Sequence, residues 1–336
     1  MTSPGPLRFL PIFKHYLWGG RRLHDLLGKP CGPQNTAESW EVCDRHDDQS
    51  VVAEGTWRGC CLHELMQQFG PQIMGTDTWK KISQDTLPEN LQGRFPLLFK
   101  VLDANQALSV QVHPNDRYAS GMCPPDLGKT EAWYVFHADP GAKIYAGLKS
   151  GVDASELRTA IEGQRLEDVL HAFEPQVGDT VFIPAGTLHA LGAGLMIAEI
   201  QQASNTTFRV YDWGRVDADG KSRMLHLDPA MEVIDFSAGP VHPVRSQVAN
   251  LQHETLVESD FFVLSRIRFL TEISLAGDNQ FHLLHLTQGQ LELQSGDDNW
   301  SLKRGETMLI PANNPAVRIT AMDGAVEFLE MHLPPV

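Results

Sequence analysis

The chain has 336 residues, 42% hydrophobic and 21% charged, which is the composition of a soluble globular protein with room for two domains. A formal net charge of −15 with no basic stripe argues against a nucleic-acid partner, and an anionic ligand would need a local cluster of Lys and Arg to offset that field. No apolar run approaches the ~20 residues of a membrane helix, residues 1–6 carry no secretory signal pattern, and five cysteines without a C-x-x-C pair suit reduced thiols in a cytoplasm.

In chain order, residues 62–69 (Leu-His-Glu-Leu-Met-Gln-Gln-Phe) predict a short helix stopped by Gly70-Pro71. Strand-like runs bounded by Gly, Pro, Asn or Asp follow at 96–102, 107–113, 131–136 and 143–147. Asp153-Ala-Ser-Glu156 resembles a helix-starting capping box. Leu157, Ile161, Val169 and Leu170 supply apolar positions beyond it, with Gly163 as a break, so a short helical insertion is expected near 153–172. Further strands are predicted at 179–184, 195–200, 206–211, 261–275, 281–286, 290–294, 307–310 and 325–331, and residues 237–250 read as a linker. Many short strands and few helices imply an all-β dominated fold, a sandwich or barrel.

The strand pattern repeats. Gly178-Asp-Thr-Val-Phe-Ile-Pro184-Ala matches Gly305-Glu-Thr-Met-Leu-Ile-Pro311-Ala at an offset of 127 residues, and both read as turn, strand, then a Pro at the strand end. Two related β units are therefore expected, spanning 1–240 and 245–336. Under the same offset His189 falls on Ala316, so the second unit is expected to lack metal ligands. His137, His171, His253, His282 and His285 read as ordinary polar residues, and Asp47-Asp48 and Asp297-Asp298 as solvated turns.

Three residues have the chemistry of a metal centre. His113 ends the run Leu108-Ser-Val-Gln-Val-His113, Glu131 opens the run Glu131-Ala-Trp-Tyr-Val-Phe136, and His189 follows the Gly178 turn and its strand. Two imidazoles and a carboxylate suit zinc, or another divalent first-row metal, with positions left for water or substrate. Gln111, two residues before His113, shares a strand face with it; it is a fourth ligand candidate through its amide oxygen, or a hydrogen-bond partner behind the ligands.

The Gly178-Asp, Pro184, Gly186, His189 arrangement is similar to the second signature of the cupin β-barrels. At motif level the chain resembles the type I phosphomannose isomerases, in their compact bacterial form. The resemblance rests on Phe95-Pro-Leu-Leu-Phe-Lys-Val-Leu-Asp-Ala104, Leu108-Ser-Val-Gln-Val-His-Pro-Asn-Asp116, Gly128-Lys-Thr-Glu-Ala-Trp-Tyr134, Ile183-Pro-Ala-Gly-Thr-Leu-His-Ala-Leu191, and the segment 199–215. Tyr16-Leu-Trp18-Gly-Gly20 and Ala37-Glu-Ser-Trp40-Glu41 fit too, so the match covers roughly residues 7–236. Asn205 and Phe208 depart from the acid and the Tyr common there.

The resemblance implies two cupin-like β-barrel or jelly-roll units, one Zn2+ per chain held by His113, Glu131 and His189, and interconversion of mannose 6-phosphate and fructose 6-phosphate. Arg209 would be the family's active-site arginine. Such an isomerisation passes through an enediol(ate). It needs a base at carbon, a route for the hydroxyl proton, and positive charge where the oxyanion develops. Arg209 stays protonated and suits the last role. A metal-activated water, Glu199 and Lys129 are all candidates for the base. The phosphate calls for the local cation cluster, with Lys100, Lys129, Arg209 and Arg215 as candidates, and Trp18 beside Gly19-Gly20 is a candidate substrate wall. The competing readings are another metal-dependent cupin enzyme, such as an iron dioxygenase, and a non-catalytic sugar- or metal-binding cupin. A phosphosugar site should surround the metal with Lys and Arg, whereas an apolar substrate would not.

Overall fold

The structure is a computed structural model and describes residues 3–83, 87–216, 219–245 and 253–335. The first unit holds thirteen strands: β1 Phe9–Leu10, β2 Ile12–Lys14, β3 Glu38–Val42, β4 Val51–Val52, β5 Leu97–Ala104, β6 Val110–Val112, β7 Glu131–Ala138, β8 Ile144–Leu148, β9 Leu170–Phe173, β10 Thr180–Ile183, β11 His189–Leu191, β12 Leu195–Gln202 and β13 Phe208–Tyr211. Two antiparallel sheets carry most of them, in the orders β10-β7-β12-β5-β3-β2 and β13-β6-β11-β8-β9. They face one another across a core of Leu102, Trp133, Val135, Ile144, Ala146, Ile183, Leu191 and Ile197. The second unit has β14 His253–Glu258, β15 Val263–Phe269, β16 Glu272–Leu275, β17 His282–Gln288, β18 Gln290–Ser295, β19 Asp298–Lys303, β20 Thr307–Ile310, β21 Val317–Ala321 and β22 Val326–His332. Its sheets run β14-β15-β22-β17-β20 and β16-β21-β18-β19, around Leu284, Leu286, Leu291, Leu293, Ile319 and Phe328. Both units are jelly-roll-like sandwiches of two open sheets, not closed barrels.

The six-stranded sheet is buried on both faces. Every residue of β5 and of β12 is buried, so they read as continuous apolar runs and not as an alternation. One face lines the first unit's interior. The other sets Leu97, Phe99, Val101, Ala198 and Ile200 against Leu264, Leu283, Leu309, Leu329 and Met331 of the second unit. The N-terminal segment joins both units: β2 pairs with β3, and Leu7 bridges to Leu309.

Several sequence expectations change. The helix begun at Leu62 runs to Met74, through Pro71, with a kink at Phe69; the Pro ring is accommodated because the ladder is already broken there. The insertion near 153–172 is a helix over Ala154–Glu162, capped by Asp153 accepting from the Glu156 amide at 2.8 Å, followed by a separate edge strand, β9, that contains Leu170. The run 261–275 is two strands, β15 and β16. Asp298 opens β19 and is not a turn. Part of the 237–250 linker is tied to the first unit: Pro240 bridges Gly147 and Val244 bridges Thr180. Gly147 has φ +80, and a Cβ there would lie 2.2 Å from the Gly239 carbonyl oxygen, so only glycine admits this close approach. Residues 246–250 lie outside the described residues.

Candidate metal centre and substrate cavity

Strand register explains how residues far apart in the chain meet. Across the five-stranded sheet Arg209 pairs with Gln111, and Gln111 with His189. Across the facing sheet Trp40 pairs with Lys100, Lys100 with Glu199, and Glu199 with Trp133. Directly opposed residues share a face, so two rows of functional side chains confront each other. Between them lies a cavity of ≈ 350 Å³, lined by Tyr16, Trp18, Glu38, Lys100, Ser109, Gln111, Lys129, Trp133, His189, Glu199, Asn205, Thr207, Arg209 and Arg223, with a few leucines.

Behind His189, which lines the cavity, the ligating atoms of His113, Glu131 and His189 all lie within 4.8 Å of one another, and all three residues are buried. His189 Nε2 is 3.3 Å from Glu131 Oε1, and His113 Nε2 is 3.5 Å from Oε2. The opposite ring nitrogens are engaged: His113 Nδ1 donates to the Thr206 carbonyl at 2.9 Å and His189 Nδ1 to the Thr187 carbonyl at 2.8 Å. Those bonds assign the proton to Nδ1 and leave both Nε2 lone pairs aimed inward. Burial, reinforced by Lys129, pushes both imidazoles below their ordinary pKa, His189 to about 3, so neither carries a charge near neutral pH. Two imidazole nitrogens and a carboxylate converging in this way suit a cation's ligand set; Lys129 and Gln111 reach the two Nε2 atoms, and Glu131 Oε1 alone of the converging atoms has no hydrogen-bond partner. Gln111 reaches His189 Nε2 at 3.4 Å through its amide nitrogen, and its oxygen accepts from Ser109 at 3.4 Å.

The surrounding charges form one buried network. Lys129 contacts Glu131 and sits 2.8 Å from His113 Nε2 and 3.8 Å from Glu199. Lys100 lies 2.9 Å from Glu199 and 3.7 Å from Glu38. Trp133 and Trp40 donate to Glu199 and Glu38 at 3.1 and 2.6 Å. Burial alone would lower the Lys100 pKa, but Glu199 and Glu38 together raise it. Burial would raise Glu199, and the two lysines overcome it and keep the carboxylate ionised. Glu131 is pushed up to about 7, first by burial and then by Glu199. Glu38, Glu131 and Glu199 face only Lys100 and Lys129 here, an excess of negative charge that favours a bound cation.

The other end of the cavity is positive. Arg209 donates to Ser109 Oγ at 3.3 Å and to the Met224 carbonyl at 3.0 Å. Burial, then neighbouring Arg223, draws its pKa down from the usual guanidinium range. Arg223 is itself paired with Asp212, its Nε donating to Oδ2 at 2.7 Å, so Arg209 is the guanidinium of this end without a carboxylate partner among the described residues. Trp18 is buried at the rim, its turn fixed because a Cβ on Gly19 would lie 2.5 Å from the Ala37 amide nitrogen.

The fold thus brings Gln111, His113, Glu131, His189, Lys100, Lys129, Glu199, Arg209 and Trp18 to one place. Arg215 is elsewhere: its guanidinium holds Asp212 and the Ala107 carbonyl, outside the cavity lining. Tyr16, Glu38, Ser109, Thr207 and Arg223 went unassigned from sequence. Arg223 lies in an irregular segment with no periodicity to mark it. In the second unit the register shows what stands at the corresponding positions. Aligning β10 with β20 by the repeat puts Ile183 on Ile310, whose partners are Glu131 and His282. By the same register Trp133 falls on Leu284, and Glu199 on Glu330. His282 is a polar residue satisfied by two carboxylates. It occupies the counterpart of the Glu131 position, with Nδ1 2.6 Å from Glu330 and Nε2 3.0 Å from Asp278. Under the 127-residue offset Ala316, immediately before β21, takes the place of His189, the first residue of β11, and among the described residues the only candidate metal-binding cluster is that of the first unit.

A family model described as phosphomannose isomerase type I, catalytic domain, matches residues 7–134, and one for the mannose-6-phosphate isomerase cupin domain matches residues 252–330. The chain is 36% identical over 331 residues to mannose-6-phosphate isomerase ManA of Bacillus subtilis, covering 98% of this chain and 99% of that protein. It is 32% identical over 317 residues to the mannose-6-phosphate isomerase of Streptococcus mutans, covering 94% of each. The crystal structure of the mannose 6-phosphate isomerase from Bacillus subtilis superposes with a TM-score of 0.86 at 30% identity, over 98% of this chain and all of that one. A likeness that runs through both units at this identity leaves one assignment: the chain belongs to the type I phosphomannose isomerase family.

Proposed function

We propose that this chain interconverts mannose 6-phosphate and fructose 6-phosphate through an enediol(ate), with one divalent metal, zinc, held by His113, Glu131 and His189. The carrying observation is the convergence of the His113 and His189 Nε2 atoms and the Glu131 carboxylate, all within 4.8 Å, at the His189 side of a cavity that Arg209 and Arg223 also line. The lining of lysines, arginines and carboxylates suits a phosphosugar and not an apolar aromatic substrate, which disfavours a dioxygenase. When bound, the metal would supply Lewis-acid stabilisation of charge on the sugar oxygens.

The remaining roles fall to this chain's own side chains. Arg209 stands ready for the developing oxygen charge, and Arg223 beside it extends the positive end toward the phosphate. Glu199, kept ionised by Lys100 and Lys129, is assigned the proton passed between C2 and C1. Lys129, 3.8 Å from Glu199, is placed to exchange the hydroxyl proton. Trp18 walls the sugar. Gln111 orients His189, and turning its amide end for end would offer its oxygen as a further ligand. The first unit, about 1–240, carries the reaction, and the second, from about 245, is a ligand-free scaffold. A cytoplasmic setting suits the five unpaired thiols; among the described residues no helix is long and apolar enough to cross a membrane.

A coupled assay with mannose 6-phosphate tests this reading. Chelation should remove turnover and zinc restore it. Arg209→Ala should lower kcat by about 10²–10³-fold with metal content unchanged. Full turnover by metal-stripped protein ends the proposal.

A further inference from the structure

One carboxylate behind the cavity gathers a whole segment of chain. Asp126 Oδ2 accepts from the Thr206 hydroxyl at 2.8 Å, the Ser204 hydroxyl at 3.1 Å and the Asn205 amide at 3.4 Å. Its Oδ1 accepts from the Leu127 amide at 2.9 Å and pairs with Arg45 at 3.2 Å, and Arg45 also donates to the Ala203 carbonyl. The segment gripped in this way, 203–207, lies between β12 and β13 and has no helix or strand of its own. Its front faces the site: the Thr206 carbonyl receives His113 Nδ1–H, and Asn205 and Thr207 line the cavity. Asp126 itself lines a separate, largely apolar cavity of ≈ 740 Å³ on the other side, with Ala203 and Thr206, and is absent from the lining of the substrate cavity.

The two histidines differ in how they are held. His189 is fixed by a carbonyl two residues away in its own turn. His113 is held from two sides: Lys129 lies 2.8 Å from Nε2, and Nδ1–H is received by a carbonyl 93 residues away in sequence, on a segment without a ladder to stiffen it. We propose that Asp126 is a positioning residue for His113: by clamping segment 203–207 it fixes the Thr206 carbonyl, which keeps the proton on Nδ1 and aims Nε2 at the metal position. This rests on the metal-centre reading above. Partners that orient a metal-ligating histidine typically contribute 10–100-fold in affinity or activity.

The test uses the full chain with Asp126→Ala, Asp126→Asn and Thr206→Val. In metal-free protein, 15N spectra of the His113 ring should show a proton on Nδ1 in the wild type, and in Asp126→Ala a shifted Nδ1 resonance as its bond to the Thr206 carbonyl weakens, even where Lys129 at Nε2 keeps the tautomer. Zinc affinity, measured by chelator competition, should fall about 10–100-fold in Asp126→Ala. Asp126→Asn, which keeps an oxygen for the two hydroxyls, should recover to within a few-fold. Saturating zinc should restore much of kcat. If Asp126→Ala does not fold, Thr206→Val carries the test, with a smaller loss in the same two readouts. An unchanged His113 spectrum with unchanged zinc affinity overturns the proposal. Wild-type protein that binds no zinc would defeat the metal-centre reading instead, and the ring spectrum would still decide the role of Asp126.

Discussion

At the scale of single residues, the site depends on charges that cannot stand alone. Lys100 is only 6% exposed and lies between Glu199 and Glu38. Removing one member of a buried pair leaves the other uncompensated, at a cost of about 3–5 kcal/mol. Lys100→Met should therefore lower the thermal midpoint of the metal-free protein well below that of a surface Lys→Met control. Adding Glu199→Gln should recover part of the loss, because it removes one of the stranded carboxylates. A Lys100→Met protein as stable as the control would show that the network is not the buried charge cluster described here. The residues of this cluster differ in how readable they were. His113, Glu131 and His189 sit at strand ends with flanks that have a chemical meaning, whereas Lys129 and Glu199, the latter in the middle of the interior strand β12, stood out only through the family resemblance. Glu38 and Tyr16 come from an N-terminal segment that reaches the cavity only through the pairing of β3 with β5, and one chain read alone does not reveal which strand will add to a sheet edge.

Strands and helices show the same division. Long apolar runs such as β5, β7 and β12 were legible because burial on both faces leaves an unbroken hydrophobic stretch. Short elements were not: β9, two residues past the Leu166–Asp168 3-10 turn, carries Leu170 at a spacing that also suits a helix face. The repeat was legible as Gly178–Pro184 against Gly305–Pro311, but register alone revealed that His282 and Glu330 stand at the Glu131 and Glu199 positions. There the second unit has an imidazole between two carboxylates. Burial would lower the His282 pKa, but its bonds to Glu330 and Asp278 raise it above 6.5. Burial would raise Glu330, but His282, with His332 and His253 nearby, lowers it below 4.5. The signs give a window. The raised His282 contributes fully below 6.5 and loses its contribution as pH rises through its folded value; the lowered Glu330 contributes above 4.5 and fades as pH falls through its own. The pair is thus strongest between those two pH values. His282→Gln should cost more thermal stability at pH 6 than at pH 9, measured as the difference in midpoint from wild type. Equal differences at both pH values would mean that His282 is neutral in the fold and the ion pair is absent.

For the whole molecule, the question is whether the two sandwiches are separable. Leu264, Leu283, Leu309, Leu329 and Met331 of the second unit share one core with Leu97, Phe99, Val101, Tyr134 and Phe136 of the first. Exposing the second unit's five side chains alone would cost roughly 8–15 kcal/mol at about 1.5–3 kcal/mol each. That is comparable with the whole stability of an ordinary domain, about 5–15 kcal/mol. Polar links cross the same boundary: Tyr134 donates to Glu327 at 3.0 Å, and Thr307 donates at 3.0 Å to Glu41, which also holds Lys29 at 2.6 Å. Breaking the units apart would remove the Thr307 and Glu327 bonds as well as expose the apolar face. Neither sandwich has a complete surface without the other, so they should unfold together although only the first carries the site. Calorimetry of the full chain should show one transition, and saturating zinc should move all of it upward, since a ligand that binds only the folded state stabilises whatever unfolds with its site. A fragment of residues 246–336 should be poorly soluble and bind a hydrophobic dye. Two resolved transitions, with zinc moving only one, would show that the shared core does not couple the units and that the second is an independent domain.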